Sequence, residues 1–187
     1  MIPDGFEARY RAQGDPWATL TDPLERAKAA AALAACGGGP FAAVCDLGAG
    51  LGVLAAALAP RARVLLALDA APTAVAAAAA RLAPWPGAEA RVAMLPDDLP
   101  AATFDLVVAS EVLYYLPDAA FAATLDWLDR ALLPGGRLVA VHWTGSAADL
   151  HRSADAAHDA LARRPHLAPV AGTREPTYRL DVLEAVA

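Results

Sequence analysis

Glycines at 48, 50 and 52 follow directly on an apolar run that holds an acid, Val44-Cys45-Asp46-Leu47, and no other feature restricts the fold of this chain as much. Glycine at alternate positions permits a tight turn and the close approach of a ligand to the backbone. The stretch from Phe41 to Pro60 is twenty residues with a single charge, Asp46, which is long enough to suggest a membrane span. The glycine cluster argues against a span, because lipid would leave the amides of the turn unsatisfied. The spacing instead predicts a short buried strand, Ala42 to Asp46, that turns into a helix over Leu51 to Ala59.

The same alternation continues along the chain. Asp22 can cap a helix, Pro23 suits its first turn, and Glu25 can complete a capping box; that helix should end at Cys36, before Gly37-Gly38-Gly39-Pro40. Strands are predicted over Arg63–Asp69, Ala90–Met94, Asp105–Ser110 and Arg137–His142, and helices over Thr73–Leu82, from Asp118 to Leu132, and over Ala147–Arg163. Leu167–Ala171 and Tyr178–Val186 are the last strand candidates, close enough in sequence to pair as an antiparallel hairpin. Continuously apolar strands separated by helices imply an α/β sandwich: a mostly parallel seven-stranded sheet with helices on both faces. One domain over residues 1–187 is expected, with an N-terminal segment and first helix in 1–36 and the core in 42–187.

Of the 187 residues, 57% are apolar and 19% charged, which is ample for a buried core and unlike a disordered segment. A net charge of −6 and a pI near 5.1 speak against nucleic acid as a partner, since no basic stripe is present to neutralise phosphates. Two cysteines, Cys36 and Cys45, make no disulfide framework, and the first eleven residues carry no apolar core typical of a signal peptide. A cytoplasmic monomer or homodimer acting on a small molecule, with no membrane partner, is expected.

Ligands of such sheets bind beyond the carboxyl ends of the strands. Asp69 closes the second strand, where a carboxylate can accept from both hydroxyls of a ribose. Gly50-Leu51-Gly52-Val53-Leu54-Ala55 also matches the dinucleotide pattern G-x-G-x-x-A, so a nicotinamide-dependent reductase stays open. Asp46 would place an acid beside a pyrophosphate, however, and suits a cation better.

VCDLGAGLG with the acid-tipped second strand resembles motifs I and II of class I S-adenosylmethionine-dependent methyltransferases, and FDLVVASEVLYYL and LLPGGRLVAVHW are similar to their fourth- and fifth-strand motifs. Asp15-Pro16-Trp17, LERAK (Leu24 to Lys28), SEVLYYL and VHW resemble, more narrowly, the nodulation protein S (NodS-like) N-methyltransferases, which act on the amino sugar of a chitooligosaccharide. The resemblance implies a Rossmann-like fold with S-adenosyl-L-methionine as cofactor. It implies that Gly48, Ala49, Gly50 and Gly52 form the cofactor turn, that Asp46 sits beneath the methionine part, and that Asp69 takes the ribose. Ala70, Met94 and Leu95 would lie against adenine, although the usual adenine-binding acid is missing from the third-strand end; Asp97 and Asp98 come slightly late. Ser110 would join the cofactor site at the tip of the fourth strand.

Glu111 beside it is a candidate to hold the acceptor amine or take its proton, or else a structural acid. Tyr115 is a second catalytic candidate, with Tyr114 facing the substrate or packed in the core. Arg9, Tyr10 and Trp17, with Phe6, belong to the lid that the resemblance implies over the cofactor, where an aromatic ring would attract a sulfonium. Lys28, the only lysine of the chain, matches the lysine of the NodS-like group and is placed with the substrate. His142 ends the fifth-strand motif and is either a proton relay in the cleft or a satisfied core histidine. His151, Asp155 and His158 share one face of the predicted last helix; substrate contact by His158 is favoured over a metal site, and none is expected. An O-methyltransferase of another branch and an inactive cofactor-binding module are the remaining alternatives.

Overall fold

The structure, a computed structural model, describes residues 3–186. Its elements run α1 (Pro3–Gln13), α2 (Pro23–Cys36), β1 (Phe41–Leu47), α3 (Val53–Leu58), β2 (Ala62–Asp69), α4 (Pro72–Leu82), β3 (Ala88–Val92), β4 (Phe104–Ser110), α5 (Asp118–Ala131), β5 (Leu132–Trp143), α6 (Ala154–Ala162), β6 (Leu167–Arg174) and β7 (Tyr178–Ala185). The sheet order is β3-β2-β1-β4-β5-β7-β6. β1 pairs parallel to both β2 and β4, so strand order reverses between β1 and β4. β7 alone runs against its neighbours, and it inserts between β5 and β6. The mostly parallel seven-stranded sheet with its C-terminal hairpin is the one the alternation predicts.

Side-chain alternation divides the core between the two faces of the sheet. Val44, Leu106, Val108, Val139 and Val141 pack on the face covered by α2 and α3. Cys45, Leu47, Val107, Ala109, Leu138 and Ala140 pack on the opposite face, with α5 and α6. A smaller cluster of Tyr10, Leu51, Ala71 and Ala74, joined by Phe6 and Trp17, lies beneath α1. Among the described residues no helix is long and apolar enough to cross a membrane.

Several element boundaries depart from the sequence expectation for identifiable reasons. Asp22 does cap α2, accepting from the Leu24 amide at 2.7 Å, but its own N–H donates to Ala18 O, so Glu25 completes no capping box and pairs with Lys28 instead. α3 begins at Val53, because Gly52 takes a left-handed conformation (φ 76°) and is its cap. Asp118 is the first residue of α5 and forms an ion pair with Arg152 in place of a cap. α6 begins only at Ala154, where Ser153 Oγ accepts from the Ala156 amide, so residues 147–152 form a loop and His151 lies off the helix. The three-residue face proposed for His151, Asp155 and His158 therefore does not exist.

Candidate active site

The turn between β1 and α3 is held by hydrogen bonds to the end of β2. The Ala49 amide donates to Leu68 O, and the Gly50 amide to Asp69 Oδ2 at 2.8 Å. The Ala71 amide donates to Asp69 Oδ1 at 2.9 Å. Gly50 has φ 53°, and a side chain there would stand 2.9 Å from the Tyr10 hydroxyl, so glycine is required both by conformation and by space. Burial raises the Asp69 carboxyl, and the amides of Ala71 and Gly50 work against that shift. Asp46 lies directly behind the turn, only 1% exposed, and neither of its carboxylate oxygens has a hydrogen-bond partner among the described residues. Burial, reinforced by the charge of Asp69, pushes its carboxyl up to about 7.

These residues line a cavity of about 990 Å³ at the carboxyl ends of the strands. An unpartnered buried acid calls for a cation. Asp69 has lone pairs left for hydroxyls, and Ala70, Met94 and Leu95 offer flat apolar contact. Ammonium, ribose and purine are thus matched in that order along the cavity, and the residues fit S-adenosylmethionine. Of the two late acids after β3, Asp98 accepts from the Met94 amide at 2.8 Å and closes the local turn, whereas Asp97 lines the cavity.

At the other end of the cavity Glu111 has φ 56°, a left-handed conformation that a non-glycine residue adopts only at a cost. Its backbone is tied by N–H donation to Val141 O. Oε2 accepts from the Trp143 amide at 3.1 Å and from the Tyr114 hydroxyl. Oε1 lies 2.5 Å from Lys28 Nζ, which also donates to Glu25 at 2.7 Å. Burial works against the Lys28 ammonium, yet the two carboxylates hold its pKa above the usual lysine value. The Leu113–Tyr115 turn that follows is fixed by Arg152, whose guanidinium donates to Leu113 O and Leu116 O.

α1 closes the cavity from above. Glu7 accepts from the backbone and the hydroxyl of Thr73 at 2.9 and 2.7 Å, and so caps α4, whose own cap residue Ala71 supplies no side chain for it. Those bonds hold the Glu7 carboxyl below its usual range. Arg9 pairs with Asp149 at 2.8 Å, Phe6 packs edge-on against Tyr115, and Tyr10 against Trp17.

The structure brings the predicted residues of the cofactor turn, the strand tips, the lid and the Lys28–Glu111 cluster to one cavity. It does not bring Gly52, His142 or His158 there. Gly52 serves packing: a side chain would meet the Cα of Ala78 at 2.8 Å. His142 is fully buried, on the sheet face opposite Asp46. Its Nε2 accepts from the Leu113 amide at 3.1 Å, which leaves its proton on Nδ1, 3.0 Å from His158 Nε2. His158 Nδ1 lies 2.9 Å from Asp181. Burial, with His158 and Lys28 nearby, lowers the His142 pKa well below that of a free imidazole. Both rings are satisfied core groups, and neither the relay role of His142 nor the substrate contact of His158 is realised. Glu7, Asp149 and Arg152 were not singled out from the sequence, since each acts through a contact distant along the chain, and Trp143 enters there only within the VHW motif.

The geometry is that of a class I methyltransferase: the sheet order, a glycine turn at the strand reversal, and acids at the tips of β1 and β2. A model of the methyltransferase domain family matches residues 45–138, half of the chain. The chain belongs to this family. It is 33% identical over 147 residues to nodulation protein S of Rhizobium tropici, a match covering 75% of this chain and 58% of that protein's length. Among solved structures, a Pseudomonas syringae protein described as a methyltransferase is 35% identical, with TM-score 0.75, over 86% of this chain and 98% of that one. The N-methyltransferase NodS of Bradyrhizobium japonicum WM9, in complex with S-adenosyl-L-homocysteine, shares the fold with TM-score 0.86 at 24% identity, over 99% of both chains.

Proposed function

We propose that this chain transfers a methyl group from S-adenosylmethionine to the nitrogen of a small acceptor, an amino sugar or its oligosaccharide. The observation that carries the reading is the Asp46 carboxylate, buried and unpartnered behind the glycine turn, with a second carboxylate, Glu111, across the same cavity. A pyrophosphate would be repelled by Asp46, which disfavours the nicotinamide reading. The likeness to nodulation protein S and to the N-methyltransferase NodS supports nitrogen as the acceptor atom.

When bound, the cofactor supplies an electrophilic methyl carbon on a sulfonium, so reaction is one in-line displacement. Asp46 would hold the ammonium of the methionine part. Asp69 would accept from the ribose hydroxyls, and Ala70, Met94 and Leu95 would pack against the adenine, with Asp97 lining the same cavity. Tyr10 and Trp17 line the same cavity, where an aromatic ring would attract the sulfonium and, with α1 over it, exclude water. Oε2 of Glu111 is occupied by two donors and Oε1 is buried against Lys28, so this carboxylate would act on the incoming amine through its charge at the cavity wall. Tyr115 lines that approach. The acceptor must arrive without its extra proton, which bulk water takes before binding.

Methyl transfer from labelled cofactor to a panel of acceptors tests this. Glucosamine and deacetylated chitooligosaccharides should be methylated, whereas their N-acetylated forms and simple alcohols should not. Transfer to an N-acetylated sugar or to an alcohol would assign the reaction to oxygen.

A further inference from the structure

Trp143 is one of the few large apolar side chains left open by the fold, 39% exposed, and it lines the mouth of the cavity. It ends β5 on the same sheet face as Val139 and Val141, the face that carries Asp46, and is paired with Tyr178 of β7. Its backbone N–H is the one donated to Glu111 Oε2, so the indole is tied to the carboxylate that faces the acceptor. Gly145 folds back onto one face of the ring so closely that a methyl group there would overlap the benzo carbons. The indole is thereby covered on one face by Gly145, and the rest of the residue, 39% exposed, lines the cavity. The residues proposed for the ammonium, ribose and adenine lie at the β1, β2 and β3 ends, none of them on β5, the strand of Trp143.

Resting on the reading of the acceptor as an amino sugar, we propose that Trp143 is the stacking platform for the pyranose ring that carries the acceptor nitrogen. A pyranose has an apolar face of C–H groups and an equatorial belt of hydroxyls. An open aromatic face takes the first, and carboxylates set around its edge accept from the second. Glu111 and Asp149 line the same cavity; the Asp149 carboxylate is already paired with Arg9, which leaves further lone pairs for a hydroxyl. A ring seated on Trp143 would lie beside Glu111, whose Oε2 accepts from the Trp143 amide. The platform thus discriminates by ring shape, whereas an acyclic amine would gain from the acids alone.

Calorimetric titration of the S-adenosylhomocysteine-loaded protein with deacetylated chitotriose and with ethanolamine tests this without relying on turnover. Trp143→Ala should weaken chitotriose binding about tenfold or more and leave ethanolamine within twofold. Trp143→Phe, which keeps an aromatic face, should recover most of the loss. Unchanged affinity for S-adenosylhomocysteine shows that the variant is folded. If wild type binds chitotriose and Trp143→Ala binds it equally well, or loses ethanolamine to the same degree, the platform is overturned while the acceptor reading stands. If wild type binds no amino sugar at all, the acceptor reading fails and takes the platform with it.

Discussion

Replacing Asp46 by asparagine keeps the shape of the side chain and removes its titration. In the fold this carboxyl is pushed from 3.8 up to about 7 by burial, with Asp69 adding to the effect. Below pH 3.8 the group is protonated in both folded and unfolded chains and costs nothing. Between there and pH 7 the unfolded chain has released the proton while the folded chain keeps it. The ligand-free wild type therefore loses ~1.4 kcal/mol of stability per pH unit over that window, roughly 4 kcal/mol in all. A carboxamide does not titrate, so the stability of Asp46→Asn relative to wild type should rise by roughly 4 kcal/mol between pH 4 and pH 8. The comparison of the two proteins cancels titrating groups remote from Asp46, whereas Asp69, coupled to it by charge, contributes to the difference. Urea unfolding at several pH values measures this difference. Calorimetry should in parallel show affinity for S-adenosylhomocysteine reduced about 100-fold at pH 8, because the ammonium of the ligand loses its buried partner. A stability difference flat with pH, or cofactor affinity within threefold of wild type, would refute the reasoning.

Glu111→Gln should slow acceptor methylation by at least about tenfold with affinity for S-adenosylhomocysteine unchanged, measured by initial rates and calorimetry. Lys28→Ala strands the Glu25 and Glu111 carboxylates beside each other and should cost about 3 kcal/mol of unfolding free energy; adding Glu111→Gln should recover part of that loss. His142→Phe removes the acceptor of the Leu113 amide and the partner of His158, and about 2 kcal/mol of stability should go with them. Its turnover per folded molecule should stay within a fewfold of wild type, and a hundredfold loss in a well-folded variant would reinstate a catalytic histidine.

The turn of Gly48 to Gly52 and the acids at positions 46 and 69 are legible in the sequence because their chemistry is local: a strand end, a reversal of the backbone and a helix start within a few residues. The succession of strands and helices and the final hairpin follow from apolar runs and short connections. Alternation along β5 is informative in the same way. Val139, Val141 and Trp143 share the face of Asp46, while Leu138, Ala140 and His142 take the other. Proximity to the strand end made His142 attractive, although its parity directs it away from the cavity and makes Trp143 its cavity-facing neighbour. The early helix start at Ala147 reflects alanine propensity, which the Ser153 cap overrides six residues later. The Glu7 cap of α4, the Arg9–Asp149 pair and the Arg152 brace join segments 66, 140 and 36 to 39 residues apart. No local pattern encodes such contacts.

A crystal structure of the protein grown with S-adenosylhomocysteine bears most directly on the central claim. The account predicts the homocysteine ammonium within hydrogen-bond distance of Asp46 and the ribose hydroxyls on Asp69, with the purine against Met94 and Leu95. A purine bound elsewhere, or a cavity filled only by water at saturating ligand, would contradict it.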